Sequence, residues 1–437
     1  MRRREFIKQT ASSAAAVATL GGYAIGAPKM SSARILGAND RVRVAVVGSG
    51  DRSMGALVPA FQASAKDLNM ELVVVCDIWN YHRDKAAGTI KSKYGLDVAK
   101  VRNTDELYAR KDIDAVLIGT ADFQHAYHCT EAVNAGRDVY VEKPLAHRMQ
   151  DARRVLDAVK KSGKIVQVGT QRRTADNYAN AAKFIQEGKF GDVKFVEVTW
   201  NVNQPLRWRR PELVAKIRKE DTDWDRFLID YPKDKWDPRK YLEFRLFWPY
   251  SSGIPDQWMV HQIDTVHWLC QDPYPESVVA SGEVMLWKDG RTNPDTWTGV
   301  FNYPKGFQVL YTSRQTNDYG GVKEIFCSNQ GTINLDTNEI TGNGGLEAKY
   351  SLDGKDHRLA GAKIPSTTKA AAEVDTSGDS TGAHMRNWMD CVRSRKQPNA
   401  PIEAGYQHSV ALCMSIEATH TGRRARFNAE TQEVVTE

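Results

Sequence analysis

The chain has 437 residues, 41% hydrophobic and 26% charged, which suits a soluble globular protein with room for two domains. Its 60 basic and 54 acidic residues give a net charge of +6, and the basic residues are spread along the chain, which excludes a dedicated nucleic-acid surface. The six cysteines form no CxxC pair and show no metal-ligand spacing, so we expect buried free thiols and no metal site.

The first 33 residues have the character of a targeting segment. The motif Arg3-Arg4-Glu5-Phe6-Ile7-Lys8 resembles a twin-arginine export signal, and the Ala- and Gly-rich run at residues 11–25 is too short for a membrane span. We therefore expect residues 1–33 to be a signal peptide, cleaved after Ala27 or Ala33, and the protein to be periplasmic or otherwise exported. The alternative is a disordered basic tail. No later segment resembles a transmembrane helix, so we expect no membrane anchor.

Residues 34–170 alternate short apolar runs with helical stretches. Five runs rich in Val and Ile predict strands buried on both faces, at residues 42–47, 71–76, 115–118, 138–141 and 165–168. The stretches between them, such as residues 151–161, have helical periodicity. This alternation predicts an α/β fold whose N-terminal domain, residues 34–170, is a Rossmann-type, doubly wound parallel sheet.

Residues 171–437 have a different pattern. A helix at residues 177–187 is followed by consecutive strand-like runs, which predict a C-terminal, substrate-binding α+β domain on a mostly antiparallel sheet. These runs lie at residues 193–202, 277–287, 297–303, 307–313, 323–327 and 331–335. An aromatic, charged insertion at residues 207–250 interrupts them, and residues 341–380 are polar and predicted to be partly disordered loop. Apolar residues at helical spacing over residues 385–392 predict an amphipathic helix. One alternative for the C-terminal helices is that they pack back on the first domain.

A glycine turn follows the first predicted strand. Gly48 and Gly50 match the first two glycines of the G-x-G-x-x-G pattern, and Ser53 replaces the third. Such a turn lets the backbone approach a pyrophosphate at a helix N-terminus, so we expect Gly48, Gly50, Asp51, Arg52 and Ser53 to bind the cofactor. Asp77 ends the second strand, where an acid accepts hydrogen bonds from ribose hydroxyls and repels a 2′-phosphate. This favours NAD over NADP, although Arg83 offers a phosphate partner.

Two later strand ends carry polar side chains to the same edge. Thr120 and His125 follow the strand at residues 115–118, where doubly wound sheets bind ligands, so both are candidate cofactor ligands. The alternative for His125 is a place in the first turn of the next helix. Glu142-Lys143-Pro144 ends the strand at residues 138–141, and proline keeps Lys143 at a loop start. There a lysine can polarise a carbinol oxygen or exchange its proton, so Glu142 and Lys143 complete the expected cofactor-side group.

The chain resembles the Gfo/Idh/MocA superfamily of glucose–fructose oxidoreductases and inositol dehydrogenases over about residues 41–425. The resemblance rests on the glycine turn, Asp77, Thr120-x-x-x-x-His125, Glu142-Lys143-Pro144, the segment at residues 168–173 and Ser252-Gly253 leading to His261-Gln262-Ile263-Asp264. In that family the matching lysine is catalytic and the Lys-Pro bond is often cis, so the resemblance implies a catalytic Lys143 and a cis Lys143–Pro144 bond.

The substrate side centres on a helix predicted at residues 256–270. His261 and Asp264 are three residues apart and share a face, so we expect His261 to accept the proton and Asp264 to orient it or bind sugar. The resemblance implies an aspartate four residues before His261, where this chain has Gln257. Asp256 either reaches the site through an irregular helix start or caps the helix while Gln257 faces the substrate.

Further candidate substrate ligands come from other segments. Arg172 follows the last strand of the first domain, and Tyr241 and Arg245 belong to the insertion; sugar sites use aromatic faces and bidentate donors.

These features predict an NAD-dependent oxidoreductase acting on a sugar or polyol hydroxyl, and the resemblance implies a homo-oligomer. Because an exported enzyme meets little free NAD, we expect tight retention of the cofactor. Two alternatives stay open: a redox-assisted glycoside hydrolase that uses NAD transiently, and a non-catalytic sugar-binding protein on the same fold.

Overall fold

The computed structural model describes residues 40–367 and 379–437. The expected signal peptide at residues 1–33 lies outside the described residues, as does part of the polar segment predicted at residues 341–380. Within the described ranges, no helix is long and apolar enough to cross a membrane. All six cysteines are free thiols, and only Cys327 is more than slightly exposed.

The N-terminal sheet has six parallel strands in the order β3-β2-β1-β4-β5-β6, the doubly wound order of dinucleotide-binding folds. Strand β1 lies in the centre, where Val44 pairs with Leu72 on one side and Ala115 on the other. The strands are β1 Val42–Val47, β2 Met70–Cys76, β3 Ala99–Val101, β4 Ala115–Ile118, β5 Asp138–Val141 and β6 Val166–Val168. The predicted parallel sheet is confirmed.

Helices cover both faces of this sheet. They are α1 Val58–Ala65, α2 Asn80–Tyr94, α3 Thr104–Ala109, α4 His125–Asn134 and α5 Met149–Ser162. Because β1, β4 and β5 are buried along almost their whole length, their side chains are apolar on both faces. Asp77, Thr120 and Lys143 follow the ends of β2, β4 and β5 and so lie at the carboxyl edge of the sheet.

The second sheet has ten strands in the order β14-β13-β12-β11-β7-β10-β9-β8-β15-β16. Strands β7 and β10 are parallel and the other neighbours are antiparallel, which confirms a mostly antiparallel C-terminal sheet. The strands are β7 Val193–Asn201, β8 Ser277–Glu283, β9 Thr296–Tyr303, β10 Phe307–Arg314, β11 Val322–Ser328, β12 Gly331–Asn334, β13 Glu339–Thr341, β14 Ala362–Lys363, β15 Ala425–Asn428 and β16 Glu433–Thr436.

The insertion contains only short helices. The helices between β6 and β8 are α6 Asp176–Gln186, α7 Pro211–Val214, α8 Trp224–Leu228, α9 Pro238–Leu242 and α10 Val260–Cys270. A π-helical turn, Pro255–Met259, runs directly into α10. The helix predicted at residues 256–270 thus begins with one wide turn.

Two C-terminal helices complete the fold, α11 Asp379–Ser394 and α12 Ile402–Thr421. The apolar face of α11 lies in one buried cluster with Val44, Leu57, Phe61 and Tyr140 of the first domain. That face consists of Met385, Trp388, Met389 and Val392. Helix α12 is buried along most of its length and contacts α5, α10 and β8, so it joins the two sheets.

Candidate active site

The glycine turn begins directly after β1. Gly48 has φ +77°, and a Cβ there would lie 2.8 Å from Thr120 Cγ2, so the turn requires glycine. A Cβ at Gly50 would meet only His82 Cε1, at 3.9 Å, so the backbone at Gly50 faces open space. The Ser53 hydroxyl donates to the Gly48 carbonyl at 2.5 Å and so closes the turn in place of the third glycine.

A cavity of about 370 Å³ lies at this carboxyl edge, within the size range of small-molecule sites. Its first-domain wall includes Gly48, Gly50, Asp51, Arg52, Asp77 and Thr120. A glycine turn with open space in front of it, an acid at the end of β2 and a helical segment that starts at Asp51 and runs through the π-helical turn Ser53–Leu57 into α1 are the parts that hold a dinucleotide. The residues present therefore fit NAD.

Asp77 is buried against the glycine turn. Its carboxylate accepts hydrogen bonds from the Ser49 backbone N–H at 2.7 Å, the Ser49 hydroxyl at 2.9 Å and the Trp79 N–H at 2.9 Å. The guanidinium of Arg83 donates to the backbone carbonyl of Asp77 at 2.9 Å and does not line the cavity. Asp77, which favours the free 2′-hydroxyl of NAD, therefore lines the cavity, whereas Arg83, the alternative partner for a 2′-phosphate, does not.

Glu142 is buried behind the turn rather than in the cavity. Its carboxylate accepts from Arg52 Nε at 2.9 Å and lies 3.4 Å from Gln171 Nε2. Arg52 does line the cavity, so Glu142 holds a cofactor-side cation in place. His125 is the first residue of α4 and is also buried, with Nδ1 2.8 Å from the Pro144 carbonyl oxygen and Nε2 3.3 Å from that of Thr120.

Lys143 follows β5, and its Nζ contacts the π-helical turn. Nζ donates to the Gln257 carbonyl at 2.9 Å and to the Asp256 carbonyl at 3.2 Å. Burial lowers the pKa of Lys143 to about 8, although nearby Asp122 and Glu142 oppose that change. The Lys143–Pro144 peptide is cis, as the resemblance implies. Two backbone oxygens thus hold the lysine, and Nζ has one hydrogen-bonding position left. That position is a lone pair in the neutral amine and a third N–H in the ammonium.

His261 lies in the first turn of α10, one turn after Gln257. Burial, together with the positive charges of Lys143 and Arg172, lowers the pKa of His261 well below its ordinary value of 6.5. Its ring lies 6.1 Å from the Trp200 ring. Lys143 and His261 therefore belong to one electrostatic group, and the imidazole is neutral at neutral pH, the form that accepts a proton.

Asp264 is fully buried and ion-paired. Its Oδ2 accepts from Arg173 Nε at 2.8 Å, and Oδ1 lies 3.8 Å from His408 Nδ1. Burial alone would raise the pKa of Asp264, but Arg173 and His408 outweigh burial and lower it to about 2. The Leu145 N–H donates to His408 Nε2, so His408 carries its proton on Nδ1, towards Asp264. Sequence reasoning did not identify Arg173 or His408.

The π-helical turn gives Asp256 and Gln257 separate partners. Asp256 is buried, and its Oδ2 accepts from the Ser252 N–H at 2.8 Å and lies 3.1 Å from His147 Nδ1. The Tyr231 hydroxyl lies 2.8 Å from His147 Nε2. The Asp256 carboxylate therefore stabilises the π-helical turn through Ser252 and His147. Its backbone carbonyl, not its carboxylate, accepts the hydrogen bond from Lys143.

Gln257 links the turn to both neighbouring segments. Its Oε1 accepts from Arg245 Nε at 2.8 Å, and its Nε2 donates to the carboxylate of Asp122. Asp122 also accepts from the Ser251 hydroxyl at 2.7 Å. Burial raises the pKa of Asp122, and Arg245 partly offsets this effect. Sequence reasoning missed Asp122 and His147; the signal for Asp122 was an acid in the segment after β4 that also contains Thr120 and His125.

Two other candidate substrate ligands have different surroundings. Arg172 forms an ion pair with the buried Glu324, and its guanidinium lies 5.5 Å from the ring centres of Tyr178 and Trp200. Tyr241 lines the cavity near Asp77, with its ring 6.3 Å from that of Trp79. Arg172 is near enough to His261 for its charge to lower the pKa of that imidazole, whereas Tyr241 lines the cavity together with Asp77.

Comparisons with known proteins concern the sequence of the first domain and the fold of the chain. Residues 42–170 match the GFO_IDH_MocA family model, described as an oxidoreductase family with an NAD-binding Rossmann fold. Inositol 2-dehydrogenase of Salmonella paratyphi B is 26% identical over 190 residues, which cover 42% of this chain and 52% of that protein. The chain thus spans about half the length of this relative. Inositol 2-dehydrogenase 3 of Saccharopolyspora erythraea is 22% identical over 386 residues, covering 87% of this chain and 94% of that protein.

Among solved structures, the WlbA dehydrogenase from Bordetella pertussis in complex with NADH and UDP-GlcNAcA has the same fold. Its TM-score is 0.63 at 20% identity, with 89% of this chain and 99% of that chain covered. Residues 42–170 therefore match the NAD-binding Rossmann domain of the GFO_IDH_MocA oxidoreductase family, and the six-stranded sheet with its glycine turn is the structure of that matched segment.

Proposed function

We propose that this protein is an NAD-dependent oxidoreductase that acts on a hydroxyl-bearing carbon of a sugar or polyol. The observation that carries the proposal is the placement of Lys143. It follows β5 at the edge that holds the glycine turn, and its Nζ bonds to the turn of helix that leads to His261. Lys143 thus stands at the sheet edge that carries the glycine turn, and its charge acts on His261, the second group proposed to exchange a proton.

The hydrogen bonds of Lys143 determine its chemistry. As a neutral amine, Nζ uses both N–H groups on the carbonyls of Asp256 and Gln257 and directs its lone pair elsewhere. That lone pair is free to accept a hydroxyl proton from an alcohol. As an ammonium, the third N–H is free to donate to a carbonyl oxygen. The lowered pKa of about 8 makes both forms accessible near neutral pH.

His261 supplies the second basic group. Its imidazole is neutral at neutral pH, so it accepts a proton from the substrate hydroxyl or holds that hydroxyl in place while Lys143 takes the proton. Asp264 is occupied by Arg173 and has no exposed surface, so it acts by fixing the charge distribution behind His261.

NAD, when bound, supplies the hydride acceptor, and the residues that would hold it are the glycine turn, Asp51, Arg52, Asp77 and Thr120. The export signal expected from the basic N-terminal motif gives cofactor retention a purpose, because an exported enzyme has no NAD pool for exchange. We therefore include retention of NAD through many turnovers in the proposal.

The test begins with the nucleotide itself. The purified protein is denatured, and the nucleotide released is identified along with its redox state. The expected result is NAD or NADH at close to one per chain. A second sample is dialysed extensively and assayed on a panel of sugars and polyols without added nucleotide. Recovery of NADP would overturn the cofactor assignment, and activity that depends on added micromolar NAD would overturn retention.

An aryl glycoside is added to the same panel. If the aryl group is released without added nucleotide and without net oxidation, the activity is redox-assisted hydrolysis and not simple dehydrogenation. Failure of every sugar and polyol to reduce the bound NAD would overturn the proposed oxidoreductase activity.

A further inference from the structure

The insertion, residues 207–250, lines the cofactor cavity together with the glycine turn. Its residues that line the cavity include Arg210, Leu213, Tyr241, Leu242, Phe244 and Arg245. The glycine turn and the insertion are more than 150 residues apart in sequence, so the cavity is closed by a segment outside the Rossmann sheet.

An aromatic cluster fixes the insertion to the sheet edge. Phe123, just after β4, has its ring 5.2 Å from Phe227, 4.7 Å from Tyr231 and 5.5 Å from Tyr250. These rings are buried together, which removes a large apolar area from water. A hydrogen bond from Gln124 Nε2 to the Phe227 carbonyl, 2.7 Å long, adds a polar attachment. The insertion is therefore a fixed wall rather than a loose loop.

Two arginines of this wall face the glycine turn, and they differ in their partners. Arg210 forms an ion pair with Asp51, with Nη2 2.7 Å from Oδ2. Arg245 uses only Nε, which donates to Gln257, and its guanidinium lies 4.5 Å from the Phe244 ring centre. Its two terminal nitrogens form no hydrogen bond or ion pair with any residue of the described ranges. Arg245 thus offers two parallel donors to the cavity.

The surroundings of Arg245 favour a bound anion. Burial lowers the pKa of Arg245, and although Asp122 and Asp51 oppose the effect, Arg210 adds to it. A largely buried guanidinium without a carboxylate partner is costly, and two terminal N–H groups match two phosphate oxygens. The anion that belongs in front of a glycine turn is a pyrophosphate.

We propose that Arg245 binds the pyrophosphate of NAD together with the glycine turn, so that the insertion is the element that retains the cofactor. This inference rests on the proposed NAD-dependent function. It changes the expectation for Arg245 from a substrate ligand to a cofactor ligand.

The experiment measures nucleotide binding without substrate. The NAD-loaded protein is mixed with excess fluorescent etheno-NAD, and the rate of exchange is followed for wild type, Arg245→Gln, Arg245→Lys and Arg218→Gln. Arg218 is a matched control, because it lies in the same insertion, is exposed, pairs with Asp221 and does not line the cavity. Thermal unfolding of each nucleotide-free variant checks folding.

We expect Arg245→Gln to release NAD about 10- to 100-fold faster, since a charge-assisted pair of hydrogen bonds is lost. Arg245→Lys should fall between, and Arg218→Gln should match wild type. In competition assays, affinity for ADP-ribose should fall in Arg245→Gln while affinity for adenosine, which has no phosphate, stays unchanged.

Three results would overturn the inference. If Arg245→Gln exchanges NAD at the wild-type rate but has a raised KM for sugar, Arg245 is a substrate ligand. Equal losses for ADP-ribose and adenosine would show that the variant damages the whole cavity. A wild-type protein that binds no nucleotide would refute the proposed function as well, which separates that failure from the first two.

Discussion

Lys143 Nζ lies 2.9 Å from the backbone carbonyl oxygen of Gln257, so the proposed catalytic lysine is held by the main chain and not by a carboxylate. A π-helical turn makes this contact possible, because its wider spacing leaves carbonyls outside the regular α-helical pattern. Neutral acceptors leave the lysine free to change its charge, which suits a group that exchanges a proton in each turnover.

The first prediction concerns Lys143 itself. Lys143→Met should lower kcat by about 10²- to 10⁴-fold, because a methionine side chain has no proton to exchange, while the nucleotide content of the purified protein stays at the wild-type level. Lys160→Met, which removes an exposed lysine on α5, is the control. Turnover close to wild type in Lys143→Met would refute the proton-exchange role.

The pH dependence of alcohol oxidation should follow the Lys143 titration. The pKa of Lys143 is lowered, chiefly by burial, to about 8, so the neutral amine that accepts a proton becomes the main form above that pH. We expect kcat/KM to rise with pH and to level off above about pH 8. A His261→Gln variant should lower the plateau but keep the rising limb. A limb that instead disappears in His261→Gln would assign the titration to the histidine.

The charge of Asp122 should affect the pH at which kcat/KM rises. Its negative charge raises the pKa of Lys143, opposing burial, so Asp122→Asn should move the rising limb to lower pH. The amide also keeps the size of the side chain and one acceptor oxygen for Gln257. The pH profile separates this electrostatic role from a packing role, because a purely structural change would alter kcat without moving the limb. Asp67→Asn, at an exposed acid, should leave the profile unchanged.

The sequence predicted the strands that place these groups, because β1, β4 and β5 are buried on both faces and read as continuous apolar runs. Their bounds agree residue for residue with the predicted ones. Strand β3 was missed, because three residues at the edge of the sheet give no detectable period.

The relation between Asp256 and Gln257 could not be predicted. Ideal helical spacing placed Gln257 on the His261 face and Asp256 to one side. The π-helical turn instead buries the Asp256 carboxylate against His147 and presents two backbone carbonyls to Lys143. The hydrogen bond from Arg245 to Gln257 arises from the insertion, whose position over the sheet edge depends on tertiary packing that no local pattern encodes.

The buried pair of Asp264 and Arg173 should appear in acid stability. The pKa of Asp264 is lowered from its ordinary value of 3.8 to about 2, so its contribution to the free energy of unfolding is present above pH 4 and is lost as pH falls towards 2. Asp264→Asn should cost roughly 2 kcal/mol or more at pH 7, because it leaves Arg173 buried without its partner. Urea unfolding at several pH values measures the difference from wild type, which should shrink below pH 4. A difference independent of pH would show that the ion pair contributes nothing specific.

The last prediction concerns the close approach of β6 to Glu142. A Cβ at Gly169 would lie 2.9 Å from the Glu142 carboxylate, which is buried and fixed by Arg52 and so cannot move aside easily. Gly169→Ala should therefore lower the free energy of unfolding by about 1–3 kcal/mol and, by displacing Arg52 at the cavity wall, speed the release of NAD. Gly88→Ala is the matched control: Gly88 lies within α2 with no atom near its added Cβ, so alanine there should stabilise the protein by up to about 1 kcal/mol. Denaturant unfolding and etheno-NAD exchange on both variants provide the two readouts. If Gly169→Ala unfolds and exchanges like wild type, Glu142 is mobile, and the support that it gives to Arg52 is not required for binding.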